Sequence, residues 1–182
     1  MLEEAIGWIG KLPNYADFIQ SKNLGSIQRS LMNWLSRGQD HIGEQFIKTG
    51  QVDGQLYVYY FFLESFISDN KRIQGILFSS HDSRGRKCPF IIFSHNLNLQ
   101  PVDMILLFSE KLQALGLKWE SLSTQLDETF LTSLIEPLSH LNSKTAYIED
   151  MDSWYELYPK AFNLNFKIES TNHVIYRKLL IR

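Results

Sequence analysis

The chain has 182 residues and a formal net charge of −2, with 18 basic against 20 acidic side chains. That balance lacks the basic excess with which nucleic-acid binders neutralise phosphate, so nucleic acid is not an expected partner. With 44% hydrophobic and 21% charged residues, the composition fits one folded domain that buries its own core, and argues against disorder.

In chain order, the start Met1-Leu-Glu-Glu-Ala is acidic and lacks the basic flank and apolar stretch of a signal peptide. Ala5 to Leu12 reads as a strand that stops at Pro13, because proline has no N–H and biases the residue before it away from helix. Asn14 to Asp17 reads as a turn or short helical entry. From Ser26, a good N-cap residue, Ile27, Leu31, Trp34, Leu35, Ile42 and Phe46 recur at helical spacing, with Gly38 and Gly43 as positions where the helix can break.

Asp53-Gly54 is a turn signal ahead of the aromatic run Gln55 to Leu63. The run suits a strand buried on both faces, with a buried helix as the alternative that periodicity alone does not separate. The apolar stretch Leu56 to Leu63 is far short of the ~20 residues that span a bilayer, so direct membrane insertion is not expected. Ile73 to Ser79 and Phe90 to Ser94 read as two further strands joined by the polar loop Ser80 to Pro89.

After Pro101, Val102, Ile105, Leu106, Leu112 and Leu115 form one helical apolar face that Gly116 is placed to end. Leu122, Leu126, Phe130 and Leu134 form a second, closed by Pro137. Asp152 to Lys160 reads as a short helix, and Leu164 to Ile168 and Val174 to Ile181 as terminal strands. The sum is an α+β fold, a single domain over residues 1–182 with a mostly antiparallel sheet packed with helices.

The search for chemistry is largely negative. Gly7-Trp-Ile-Gly10-Lys11 has two residues between its glycines where a phosphate-binding loop needs four, and Leu12 stands where that loop needs Ser or Thr. Tight backbone packing of a strand is the better reading. None of His41, His81, His95, His140 and His173 has the spacing of a metal ligand, so no metal or cofactor is expected. His81 and Asp82 are neighbours that extended backbone points to opposite faces, and they read as a surface loop pair.

Cys88 is the lone cysteine, which fits a reducing compartment and reads as a small buried apolar residue opening a strand. Arg84, Arg86 and Lys87 crowd one loop with Asp82. That cluster suits either an anionic partner or a solvated turn in which Asp82 caps the loop and offsets the cations.

Two stretches carry a family resemblance. Gly7-Trp8-Ile9-Gly10-Lys11-Leu12-Pro13-Asn14-Tyr15-Ala16-Asp17-Phe18 is similar to a signature of glycine, aromatic, glycine-lysine-leucine-proline, then glycine-aspartate-phenylalanine. Ser80-His81-Asp82-Ser83-Arg84-Gly85-Arg86-Lys87-Cys88-Pro89-Phe90 is similar to a serine-x-aspartate-arginine-x-glycine-arginine-x-phenylalanine-proline block. In this order, with a tryptophan-bearing helix between them, they resemble the TagF (ImpM) family of type VI secretion-associated proteins. The likeness is clearest over residues 6–95 and fades over 101–182. Ala16 stands where the family usually has glycine, Ser83 where an arginine is common and Cys88 where an aromatic is common.

The resemblance implies a bacterial, cytoplasmic protein without enzymatic activity that represses secretion assembly post-translationally, acting with or on a forkhead-associated scaffold protein. On that reading Lys11, Pro13, Tyr15, Asp17, Phe18, Asp82, Arg84, Arg86 and Pro89 are the partner-binding or signature residues. Lys11, Asp17, Arg84 and Arg86 would make polar contacts and Tyr15 or Phe18 would anchor. The competing assignment for the same residues is fold maintenance, with an Asp17–Arg86 or Asp82–Arg86 pair tying the segments together. Two other functions stand beside the repressor: an enzyme acting on phosphorylated protein or nucleotide, and a structural subunit of the secretion baseplate.

Overall fold

The structure, a computed structural model, describes residues 6–22, 25–42, 58–63, 73–94, 101–118, 122–127, 129–131, 133, 153–158 and 163–167. Strands β1 (Ile6–Gly10), β2 (Ile19–Gln20), β3 (Val58–Leu63), β4 (Ile73–Phe78), β5 (Phe90–Ser94), β6 (Ser153–Tyr158) and β7 (Asn163–Lys167) join in one sheet of order β2-β1-β5-β4-β3-β6-β7. Every neighbouring pair is antiparallel. Helix α1 (Gly25–Ile42) follows β2, and helices α2 (Pro101–Ala114) and α3 (Leu122–Gln125) lie between β5 and β6 in the chain.

The strand period of two sorts the sheet's side chains into two cores. Ile6, Trp8, Val58, Tyr60, Phe62, Ile76, Phe78, Phe90 and Ile92 pack with Phe108 and Leu112 of α2 and with Leu122, Leu126 and Leu131. Their odd-numbered neighbours Ile9, Tyr59, Phe61, Leu63, Ile73, Leu77, Ile91 and Phe93 pack with Ile27, Leu31 and Leu35 of α1. The register holds these sets together, with Tyr60 opposite Ile76 and Ile76 opposite Ile92 on one face. Because both faces are covered, β1, β3, β4 and β5 are buried along their whole length, which is why they read as continuous apolar runs and not as alternating ones. The polar interruption at Gln74 is satisfied by the Tyr60 hydroxyl, which donates to its Oε1 at 2.6 Å.

The mixed α+β, antiparallel fold is as the sequence indicates, and four local readings change. Residues Asp152 to Lys160, read as a short helix, contain strand β6, whose Ser153–Tyr158 pairs with Phe62–Val58 of β3. Trp154, Tyr155 and Tyr158 favour a sheet, and a long-range ladder overrides the local pattern. The second apolar face after Pro101 is not one helix. Helix α3 ends at Gln125, and a new helical turn begins where Asp127 Oδ1 accepts the Phe130 N–H at 2.7 Å, the geometry of an N-cap.

Of that expected face, Leu122 and Leu126 are buried and Phe130 only partly so, while Leu131, outside it, is buried. On α2, Phe108 and Leu112 face the sheet, whereas Leu106, and Leu115 just past the helix end, are about half exposed, at 54% and 51%. Gly116 does end α2: its N–H donates to Gln113 O and that of Leu117 to Leu112 O, the Schellman closure. Finally, α1 opens at Gly25 and runs through Gly38 without a break, so Ser26 lies in its first turn. Gly43, Phe46, Leu134, Pro137 and Val174 to Ile181 lie outside the described residues.

Candidate functional site

The end of β1 and the β4–β5 connection meet at one buried carboxylate. Residues 11–18 leave β1 at Gly10, whose φ of +149° excludes most side chains. A Cβ there would lie 2.6 Å from Pro89 O and 2.7 Å from Phe90 Cα. Glycine therefore lets the two segments touch backbone to backbone, which is the packing that the Gly7–Lys11 spacing suggests in place of a phosphate loop. Lys11, the next residue, is only 5% exposed.

The β4–β5 connection folds around Asp82. Its backbone N–H donates to Arg86 O at 3.1 Å and its carbonyl accepts from Gly85 N–H at 2.9 Å. Its side chain accepts from the N–H of Arg84 at 3.0 Å and of Arg86 at 2.9 Å, both on Oδ1. Oδ2 takes Lys11 Nζ at 3.0 Å and Arg86 Nε at 2.7 Å. His81 and Lys87 form a single antiparallel bridge outside this turn, and Cys88 N–H donates to Ser80 O. Asp82 is thus not part of an exposed pair with His81, as its place in a polar loop suggests. Its side chain is 0% exposed, because a carboxylate that collects four donors is worth burying.

The electrostatics follow from that shell. Burial by itself raises the Asp82 carboxyl, but the backbone N–H of Arg86, then the side chains of Lys11 and Arg86, then the N–H of Arg84 outweigh it and bring the pKa from 3.8 to about 2. Asp82 is ionised throughout the neutral range and is unsuited to proton transfer there.

The loops are also joined by backbone. Ser83 N–H donates to Tyr15 O at 2.8 Å, Tyr15 N–H to Leu12 O at 3.0 Å, and Arg86 Nη2 to Ala16 O at 2.8 Å. Of the two ion pairs expected to tie the segments, Asp82–Arg86 forms, while Asp17 Oδ1 accepts the adjacent Phe18 N–H at 2.9 Å. The Lys11 ammonium stands 5.1 Å from the centre of the Phe18 ring, within cation–π range.

The structure brings all nine singled-out residues to this junction or its rim, but in different roles. Lys11, Asp82 and Pro89 are buried, so Lys11 does not offer its charge to a partner as expected. Pro13, Tyr15, Phe18 and Arg86 are half-buried, and Asp17 and Arg84 are exposed. The signals that sequence reading missed are the Lys11–Asp82 pair and the Ala16 carbonyl that receives Arg86. A strand-end lysine carries no mark of its partner 71 residues away, and a backbone carbonyl carries no mark at all.

Chemically, the arrangement joins and presents but does not cradle. The N–H groups of Asp82, Ser83, Arg84, Gly85 and Arg86 all donate to acceptors within the junction, so this loop offers no nest of free amides to a phosphate. Among the described residues no group of three or more His, Cys, Asp or Glu side chains gathers to hold a metal ion, and no helix is long and apolar enough to cross a membrane.

A sequence profile of the TagF N-terminal domain, described as type VI secretion system-associated, matches residues 7–136. This chain belongs to the TagF family. TagF proteins are non-catalytic regulators of bacterial type VI secretion, and both clasped loops fall within the matched span. The TagF chain is also similar in fold to a solved structure, that of PA0076 from Pseudomonas aeruginosa PAO1, with a TM-score of 0.62 over 97% of this chain and 94% of that one. Their sequence identity is 13%, so the likeness is one of fold. No curated protein matches the chain.

Proposed function

We propose that this TagF chain acts in the cytoplasm as a post-translational repressor of type VI secretion assembly, by binding a forkhead-associated scaffold protein. The observation that carries the reading is membership of the TagF family over residues 7–136. In this reading residues 1–182 work as a single domain whose sheet and helices hold the junction of residues 11–18 and 80–89 in one shape. The polar groups at its centre are spent on each other: Lys11 and Arg86 on Asp82, Arg86 again on Ala16 O. What faces outward is the rim of Asn14, Ala16, Asp17, Ser83, Arg84 and Gly85, backed by half-buried Tyr15 and Phe18. Exposed polar groups on a rigid base with aromatic support suit recognition of another protein.

The test is binding between the purified chain and the forkhead-associated protein of the same secretion apparatus, read by calorimetry. Saturable 1:1 or 2:2 binding supports the reading. Absence of binding at micromolar concentrations, with both proteins folded, removes it.

A further inference from the structure

We propose that Arg84 is the recognition cation of the rim and takes a carboxylate on an acidic segment of the protein partner. This rests on the binding reading above and assigns the site its chemistry. The cations gathered at this junction, Lys11, Arg84 and Arg86, divide by position. Lys11 and Arg86 both bind Asp82 Oδ2, so two cations share one carboxylate and the node keeps an excess of positive charge in a chain whose net charge is −2. Lys11 is buried and does not reach a partner. Arg86 is committed through Nε to Asp82 and through Nη2 to Ala16 O.

Arg84 differs. Its backbone N–H is held by Asp82 Oδ1 at 3.0 Å, and the flanking N–H groups of Ser83 and Gly85 are held by Tyr15 O and Asp82 O. The residue is exposed, and no other described residue is within hydrogen-bond or ion-pair distance of its guanidinium. With the backbone held at three consecutive residues, binding has to order the Arg84 side chain but not the loop that carries it. Its planar fork matches a carboxylate with two parallel bonds. Because the loop amides are already consumed, recognition at this point depends on the side chain alone.

The experiment measures affinity of the full chain for the purified forkhead-associated scaffold by calorimetry, using wild type, R84A, R84K and R84E at about 50 and 300 mM salt. Melting temperatures accompany each variant and stay within error of wild type, since the guanidinium bonds to no other described residue. The expected result is about tenfold weaker binding for R84A, about thirtyfold or more for R84E, an intermediate loss for R84K, and a shallower salt dependence in R84A than in wild type. If the scaffold binds R84E within about twofold of wild type with unchanged salt dependence, the assignment of Arg84 is overturned while the binding reading stands. If wild type itself does not bind, both fall.

Discussion

Lys11 Nζ lies 3.0 Å from Asp82 Oδ2 across 71 residues of chain, and both side chains are buried. Beside the Ser83–Tyr15 and Arg86–Ala16 bonds, the strand end and the distant loop are therefore joined by a charged contact that is buried from solvent. Removing one partner of such a pair costs more than the pair contributes, because the other is left charged in an apolar setting.

The prediction is asymmetric. Asp82→Asn leaves Lys11 buried without a counter-ion and costs about 3 kcal/mol in urea unfolding. Lys11→Met keeps the volume, leaves Asp82 its Arg86 and two N–H partners, and costs about 1–2 kcal/mol. The double variant loses less than the sum of the two by at least about 1 kcal/mol. Strict additivity would mean that the contact does not couple the loops.

Acid should act on the same node. The Asp82 pKa is 3.8 in the unfolded reference and about 2 in the fold. A group whose folded pKa is depressed stabilises the fold above its unfolded value, and that stability disappears as pH falls through the folded one. Between about pH 5 and pH 2 the wild type should lose about 2 kcal/mol that Asp82→Asn does not lose. The urea midpoints of the two proteins against pH measure it, and parallel curves would contradict it.

The two glycines of the junction should respond differently. Gly10→Ala drives a methyl into Pro89 O and Phe90 at a φ of +149°, so the segments must separate, with a loss of about 3 kcal/mol or more. Gly85 has a φ of +76° with open space around its Cβ position, and Gly85→Ala costs only the backbone preference, about 1 kcal/mol. Equal losses from thermal or urea unfolding would contradict the packing described for Gly10.

Much of the architecture is legible because apolar runs such as Ile73 to Phe78 and Phe90 to Ser94 are short, bounded by polar turns, and buried on both faces. Strand β6 was not, since Ser153–Tyr158 takes its shape from pairing with β3, almost a hundred residues earlier, and carries no local period to announce it. The junction was half legible. The signature motifs locate Lys11, Asp82 and Arg86, but their roles depend on burial. The sequence around Asp82 is polar on both sides, which suggests solvent, whereas the chain closes over it because its four donors come from the loop itself and from β1's end. The segment from Pro101 is a further case: Leu106 and Leu115 belong to the same expected apolar face as the buried Leu112, yet they are about half exposed, since hydrophobic pattern reports capacity for burial and the neighbours decide it.

The measurement that bears most directly on repression is secretion of a type VI substrate by a strain lacking this gene, against the same strain complemented with it. The account predicts that deletion raises secretion and that complementation restores the lower level. Deletion that abolishes secretion would contradict repression and point to a required structural subunit.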